Sequence, residues 1–312
     1  MQCQHRVVPR LFAVECIRRM RGGTQSKLLR CSDGRYHVVK FQKNPQGTKV
    51  LANELLATLL AKMLGLPVSE PAIVEVHPDL IRYSKELVIY HRNGIVPCRP
   101  GLCFGSLYGN DDPSHANLTS AYDLFPESLL EKVHNLSDFL GMLVFDKWIG
   151  NMDPRQTIFI RSNSPCRPYR VLMIDHGLSF NGARWNFPDY PREGLYSERA
   201  VYAGVRGMDA FELWLNRLDH YVDRDALDQA AREIPIEWYR GDFDSLNQLL
   251  DRLDERRKRI RDLLLSTRKA APEFFPAWSC PERTSLRHIP RKQHELRASQ
   301  ESAYKRASAS SC

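Results

Sequence analysis

The alternation of apolar and polar positions first becomes regular near the start of the chain, where LFAVECI (11–17), KLLRCSD (27–33) and GRYHVVKFQ (34–42) each read as a short extended segment. The last two meet at Asp33-Gly34, a pair favoured in tight hairpins, so an antiparallel meander is predicted. After the polar loop NPQGTK the period turns helical in VLANELLATLLAKML (50–64), with Thr48 as the expected N-cap and Gly65 placed to stop the helix. Strand patterning returns in AIVEV (72–76) and LVIYH (87–91). Residues 92–109, with several glycines and prolines, read as a hinge, and helices with long loops follow it, which puts a boundary near residue 104. Beyond it the pattern predicts a helix ending at Gly150-Asn151, a hairpin of TIFIR (157–161) and YRVLMID (169–175) around the turn SNSPCRP, and helices over 208–221, 223–233 and 244–268.

Composition adds bounds rather than identity. With 312 residues, 43% of them hydrophobic and 26% charged, the chain can bury a substantial core in one large domain or two lobes. No apolar run is long enough to span a bilayer, the first residues lack the apolar core of a signal peptide, and the expectation is a cytoplasmic protein with no membrane partner. The eight cysteines are scattered without zinc-like spacing and are expected to be reduced thiols. The net charge of +8 invites a nucleic-acid reading, but residues 281–312 carry seven Lys or Arg against three Glu. Half of the excess therefore sits in a polar tail expected to be disordered, and any nucleic-acid contact is assigned to that tail.

Phosphoryl transfer needs a cover over phosphates, a cation on them, metal-binding oxygens and a group that orients the attacking oxygen, and the chain offers residues for each. In MRGGTQSKLL, Gly22 and Gly23 let backbone amides approach oxyanions while Thr24, Gln25 and Ser26 add donors. Lys40 interrupts the apolar strand HVVKF, and Glu54 is the sole charge on the helix face of Val50, Ala57 and Ala61. Burial of either alone is costly, so an ion pair between them is expected. The loop FDKWIGNMDPRQTIFI crowds Asp146, Asn151, Asp153, Arg155 and Gln156 together. Asp153 is the candidate to orient a hydroxyl, Gln156 offers an amide oxygen to a metal, Asp146 caps or braces the loop, and Arg155 pairs with a phosphate or with a carboxylate. Asp175, at a strand end before His176-Gly177, is a candidate magnesium ligand, whereas His176 reads as a residue that fills space or makes a backbone hydrogen bond.

In order along the chain, Lys40, Glu54, Asp153 and Asp175 follow the protein-kinase signature. More closely, GGTQSKLL, YHVVKFQ, ANELLATLLAKMLGLPVSEPAIVEV, FGSLYG, DKWIGNMDPRQTIF, YRVLMIDHG and WNFPD resemble the HipA-like kinase family over residues 10–265. The resemblance implies an α+β, bilobal protein-kinase-like fold with a small mixed N-lobe (1–104), a mainly helical C-lobe (105–270) and the basic tail (271–312). It implies ATP and magnesium as cofactors, and a serine/threonine protein kinase in which Gly22–Lys27 form the phosphate loop. Lys40 then contacts ATP phosphate beside Glu54, Asp153 is catalytic and Asp175 binds the metal, while Gln156 is a substitute metal ligand read from the loop and not from the family's pattern. Members of that family typically carry an asparagine five residues beyond the catalytic aspartate, where this chain has Ile158, and Pro154 follows Asp153 directly. A nucleotide-responsive pseudokinase and a small-molecule kinase are therefore the alternatives. The residues specify neither the phosphoryl acceptor nor a regulatory partner.

Overall fold

The computed structural model describes residues 7–109, 121–123, 125–162 and 166–278. The chain divides into two compact units, 1–277 and 278–312, and of the second only Trp278 is described. The basic residues 281–312 therefore lie outside the described residues.

Three strands open the fold: β1 (Arg10–Arg19), β2 (Lys27–Cys31) and β3 (Tyr36–Lys40). They form the expected meander, with β1 against β2 and β2 against β3, both antiparallel. Next come α1 (Val50–Met63), β4 (Pro71–Val76), the short α2 (Pro78–Tyr83), the hairpin β5 (Val88–His91) and β6 (Gly94–Pro97), and β7 (Gly101–Leu107). β7 inserts between β3 and β4, and β4 runs parallel to β1, so the order β1-β2-β3-β7-β4 closes into a barrel. Its interior is apolar, built from Leu29, Val39, Phe41, Val74, Val76 and Cys103 with their neighbours.

The reading of 92–109 as a hinge is corrected here. Its glycines belong to packed strand: a Cβ at Gly105 would sit 2.6 Å from Val74 Cγ2, a contact no side chain tolerates, so glycine lets β7 lie close to β4. Residue 104 falls inside β7, paired to Lys40.

α1 is buried on every side from Val50 to Ala61. A helix buried all round needs neighbours all round, and it packs against β4 and β7 on one side and against the later helices on another. Its start also differs from expectation. Thr48 does not cap it; the N-cap position is Lys49, in a left-handed conformation (φ 67°) with no side-chain cap. Gly65 follows the end with φ +72°, as its position predicts.

The second half contains β8 (Ala121–Tyr122), α3 (Asp138–Ile149), β9 (Gln156–Arg161), β10 (Tyr169–Ile174), α4 (Glu212–Tyr221), α5 (Arg224–Arg232), α6 (Phe243–Arg257) and α7 (Ile260–Ala270). β9 and β10 form the expected antiparallel hairpin. The single helix expected over 244–268 is two, broken at Lys258-Arg259. That break leaves Arg256 free to cap α3: Nε donates to Trp148 O at 2.9 Å and Nη2 to Lys147 O at 2.8 Å, which satisfies carbonyls a helix end leaves unpaired. The folded part also runs past the expected start of the tail at 271, because Phe274 and Phe275 ring-pack on Tyr202 at 6.1 and 5.5 Å.

Candidate active site

β3 delivers Lys40, α1 delivers Glu54, and the turn after β10 delivers Asp175. The expected ion pair between Lys40 and Glu54 is present, and Lys40 Nζ also donates to Asp175 Oδ1 at 2.9 Å. Burial opposes the charge on Lys40, but the two carboxylates outweigh it and hold the ammonium above the usual lysine range. Burial likewise weighs against a charged Asp175, and Lys40 overcomes it, holding this carboxyl below its usual range. Asp175 has φ 58°, a left-handed conformation that aspartate tolerates better than most residues and that aims its carboxylate back toward Lys40.

These groups form one wall of a cavity of about 760 Å³, within the range of small-ligand sites. Gly22, Thr24, Ser26, Lys40, Glu54, Gln156 and Asp175 all line it, with apolar walls from Val38, Val68, Phe104 and Met173. Two side chains of the expected phosphate loop are engaged elsewhere. The Gln25 side chain clamps the backbone of Tyr90, donating to its carbonyl at 2.7 Å and accepting from its amide at 2.9 Å. Lys27, fully buried, donates to Val88 O at 2.8 Å. Both side chains serve the β5 strand instead of the cavity. Gly23 lies off the cavity lining, and a Cβ there would meet Gln46 Nε2 at 3.2 Å.

Arg155 organises the loop after α3. Its guanidinium holds both carboxylate oxygens of Asp146, Nε to Oδ2 at 2.7 Å, while Nη1 donates to Ile174 O at 2.8 Å. Asn151 Nδ2 adds a bond to Asp146 Oδ1 at 3.1 Å. Arg155 therefore pairs with a carboxylate, Asp146 braces the loop, and the same guanidinium ties that loop to the strand that ends at Asp175. Asp153 is half-buried at the loop tip and, unlike Pro154, Arg155 and Gln156, is not among the residues lining the cavity. Burial, then the nearby carboxylates of Asp175 and Glu193, push its pKa up. A further clamp comes from α3: Lys147 Nζ donates to Pro191 O at 2.8 Å, to Tyr190 O at 3.2 Å and to Glu193 O. The loop it holds returns a bond from Gly194 N to Asp153 O at 3.1 Å.

Sequence reading missed Asn53. This fully buried amide donates from Nδ2 toward the carbonyls of Gly177, Ser179 and Gly182 at 2.9, 3.1 and 3.0 Å, and its Oδ1 accepts from Trp185 Nε1 at 2.7 Å. It staples the segment after Asp175 to the helix that carries Glu54. The only signal available was a second polar residue, beside Glu54, in a largely apolar helical run. Gly177 is cradled at the same junction, where a Cβ would approach Val50 Cγ1 to 2.9 Å.

His176 fills space, as expected. It is buried, edge-on to Phe145 at 6.1 Å, and neither ring nitrogen has a hydrogen-bond partner among the described residues. Burial first, then Arg155 and Lys40, hold its pKa well below the usual histidine range, so the ring is neutral. An unpaired buried polar group costs about 1–3 kcal/mol. His176→Phe is accordingly expected to raise the melting temperature by several degrees in a calorimetric scan; a lower one shows that the site cannot take the larger ring.

Among the described residues no group of three His, Cys, Asp or Glu side chains is arranged to hold a metal on its own. Magnesium does not require one, since it is commonly bound through one or two protein oxygens plus substrate phosphates. The charges here suit that arrangement. Lys40 must serve both Glu54 and Asp175, and Gln156, paired in register with Ile174, brings its amide beside the strand end that carries Asp175.

A model of the HipA-like kinase family matches residues 13–271. Among solved structures, the chain is similar to the Golgi casein kinase with Mn/ADP bound, at 13% identity over 88% of this chain and 77% of that one, with a TM-score of 0.48. It is similar also to the Helicobacter pylori proinflammatory kinase CtkA, at 16% identity over 83% of this chain and 99% of that one, with a TM-score of 0.48. No curated protein sequence matches.

Proposed function

This chain belongs to the HipA-like kinase family, and from that premise we propose that it transfers the γ-phosphoryl group of ATP, with magnesium, to a serine or threonine hydroxyl of a protein. Its fold is α+β and protein-kinase-like, and phosphotransferase activity of the kinase type comes with the family. The nucleotide, the metal and the acceptor are our assignment. One observation carries it: Lys40 Nζ bridges Glu54 and Asp175 on the wall of a cavity large enough for a nucleotide.

In this reading the apolar walls take the base, and Lys40, kept charged and fixed in direction by Glu54, meets the phosphates. The glycine turn at Gly22 brings backbone and the hydroxyls of Thr24 and Ser26 over them. Asp175 and Gln156 would hold magnesium, which would supply positive charge against the negative charge that develops on the phosphates. Asp153 orients the acceptor hydroxyl and takes up its proton, a role suited to a carboxyl whose pKa is raised toward the working range. Arg155 and Lys147 keep the Asp153 loop in place relative to Asp175. A reducing cytoplasm belongs to the same reading, since Cys16, Cys31, Cys98, Cys103 and Cys166 are free thiols.

The test is transfer of label from γ-labelled ATP by the purified protein, scored for autophosphorylation and phosphate release. Asp153→Ala is expected to lower the rate about 10²–10⁴-fold, the usual worth of a positioned base. If ATP raises the melting temperature but no label moves with magnesium or manganese, the pseudokinase reading replaces this one. Without either effect, the nucleotide assignment is wrong.

A further inference from the structure

A second, smaller cavity of about 320 Å³ lies apart from the one above. Three separate segments build it: the loop from β3 into α1 (Gln42–Leu51), Arg99 in the turn between β6 and β7, and the stretch Glu237–Arg240. Four cations line it, Lys43, Lys49, Arg99 and Arg240, against a single carboxylate, Glu237.

Lys49 is already engaged, with Nζ 3.5 Å from Asp242 Oδ2 and 3.9 Å from the centre of the Trp185 ring. Lys43, Arg99 and Arg240 are exposed, and none has an ion pair or hydrogen bond with another described residue. With Asp242 and Glu237 both counted, two positive charges remain uncompensated around one small cavity. Solvated surface cations ordinarily spread apart or pair with carboxylates. Here the backbone brings them together at a cost, since Lys43 and Arg240 hold left-handed conformations (φ 55° and 60°) that non-glycine residues adopt reluctantly.

The remaining charge and the shape specify the ligand class. A phosphate monoester carries close to two negative charges at neutral pH. Its oxygens suit donors arriving from separate directions, and arginine is the side chain best matched to them. A volume at the low end of ligand pockets accommodates one such group better than a whole nucleotide. We propose that this cavity, lined by Lys43, Arg99 and Arg240, is a second anion site that binds a phosphomonoester group. It abuts the first turn of α1, and Val50 and Leu51 belong to both the cavity and the helix. Occupancy would therefore be felt at the element that carries Glu54. The site goes beyond the kinase reading and does not depend on it.

The phosphate can be free or esterified to a side chain, and binding to the full-length protein separates the two. Calorimetric titration would use inorganic phosphate, N-acetyl-phosphoserine amide and unphosphorylated N-acetyl-serine amide. Binding of either phosphate probe is expected, with the serine amide silent. Tighter binding of the ester identifies a phosphorylated residue as the source, and equal or tighter binding of inorganic phosphate identifies the free ion. The exposed pair Arg99→Glu/Arg240→Glu, checked for folding by circular dichroism, is expected to weaken binding at least about tenfold, since two attractive charges become repulsive. Arg21→Glu, in the larger cavity, is expected to leave it within about twofold, since Arg21 does not line the smaller one. The proposal is overturned if neither probe binds, if binding survives the double charge reversal, or if it disappears with Arg21→Glu.

Discussion

Asp175→Asn is expected to reduce phosphoryl transfer about 10²–10³-fold, the loss typical of removing one electrostatic group aimed at developing charge. The fold should survive. Asparagine tolerates the left-handed backbone that Asp175 adopts at φ 58°, and Lys40 keeps Glu54 as its partner. The expected stability change is accordingly within about 1 kcal/mol, the scale of ordinary substitutions. Asp175→Ala should be equally inactive but less stable, because alanine in that conformation costs about 1–2 kcal/mol. Chemical denaturation alongside the rate measurement separates the effects. Equal activity of the asparagine variant and the wild type would remove Asp175 from the chemistry altogether. A pH profile adds a sign check on the same site. Because Lys40 holds the Asp175 pKa below its unfolded value, the stability this carboxylate contributes is present above that unfolded value and is lost as pH falls through the depressed one.

The largest loss of stability is expected at Asp146. Both it and Arg155 are essentially inaccessible, with side-chain exposures of 0% and 1%, and the guanidinium takes both carboxylate oxygens. Asp146→Ala would strand a buried positive charge, and breaking such pairs costs about 3–5 kcal/mol. That is a large part of the 5–15 kcal/mol typical of a whole domain. In urea the midpoint should fall with little change in slope. The double variant Asp146→Leu/Arg155→Met should be less destabilised than Asp146→Ala, since it leaves no lone charge behind. It should still lose activity, because the link from Arg155 to Ile174 O goes with it. If Asp146→Ala unfolds at the wild-type midpoint, the pair is not what holds this loop.

The same side chains show where sequence reading reaches and where it stops. β1 to β4, α1, α3 and the β9–β10 hairpin were legible because each carries its own period and its own turn residues, which act over a few positions. The pairing of Lys40 with Glu54 was also legible: a lone cation in an apolar strand and a lone anion on an apolar helix face each need compensation, and that helix is the next element after the strand. β7 was not legible. Its glycines look like a hinge until Val74 is seen 2.6 Å from where a Cβ of Gly105 would be, and that neighbour is far away in the chain. The break between α6 and α7 stayed hidden for the same reason, because the carbonyls that Arg256 caps belong to α3.

What the sequence alone determined is the set of local elements and the chemical inventory: a strand lysine, a helix glutamate, a loop aspartate and a strand-end aspartate in kinase order. Only the tertiary structure decided how those groups are used. It gave Lys40 a second carboxylate, turned Gln25 and Lys27 onto β5, assigned Arg155 to Asp146, and made Asn53 the staple between α1 and the segment after Asp175. Hydrophobic period and turn chemistry depend on near neighbours and can be read along a chain. The partner of a buried polar group depends on which distant segment closes over it, and burial makes that partner obligatory only once the chain has folded.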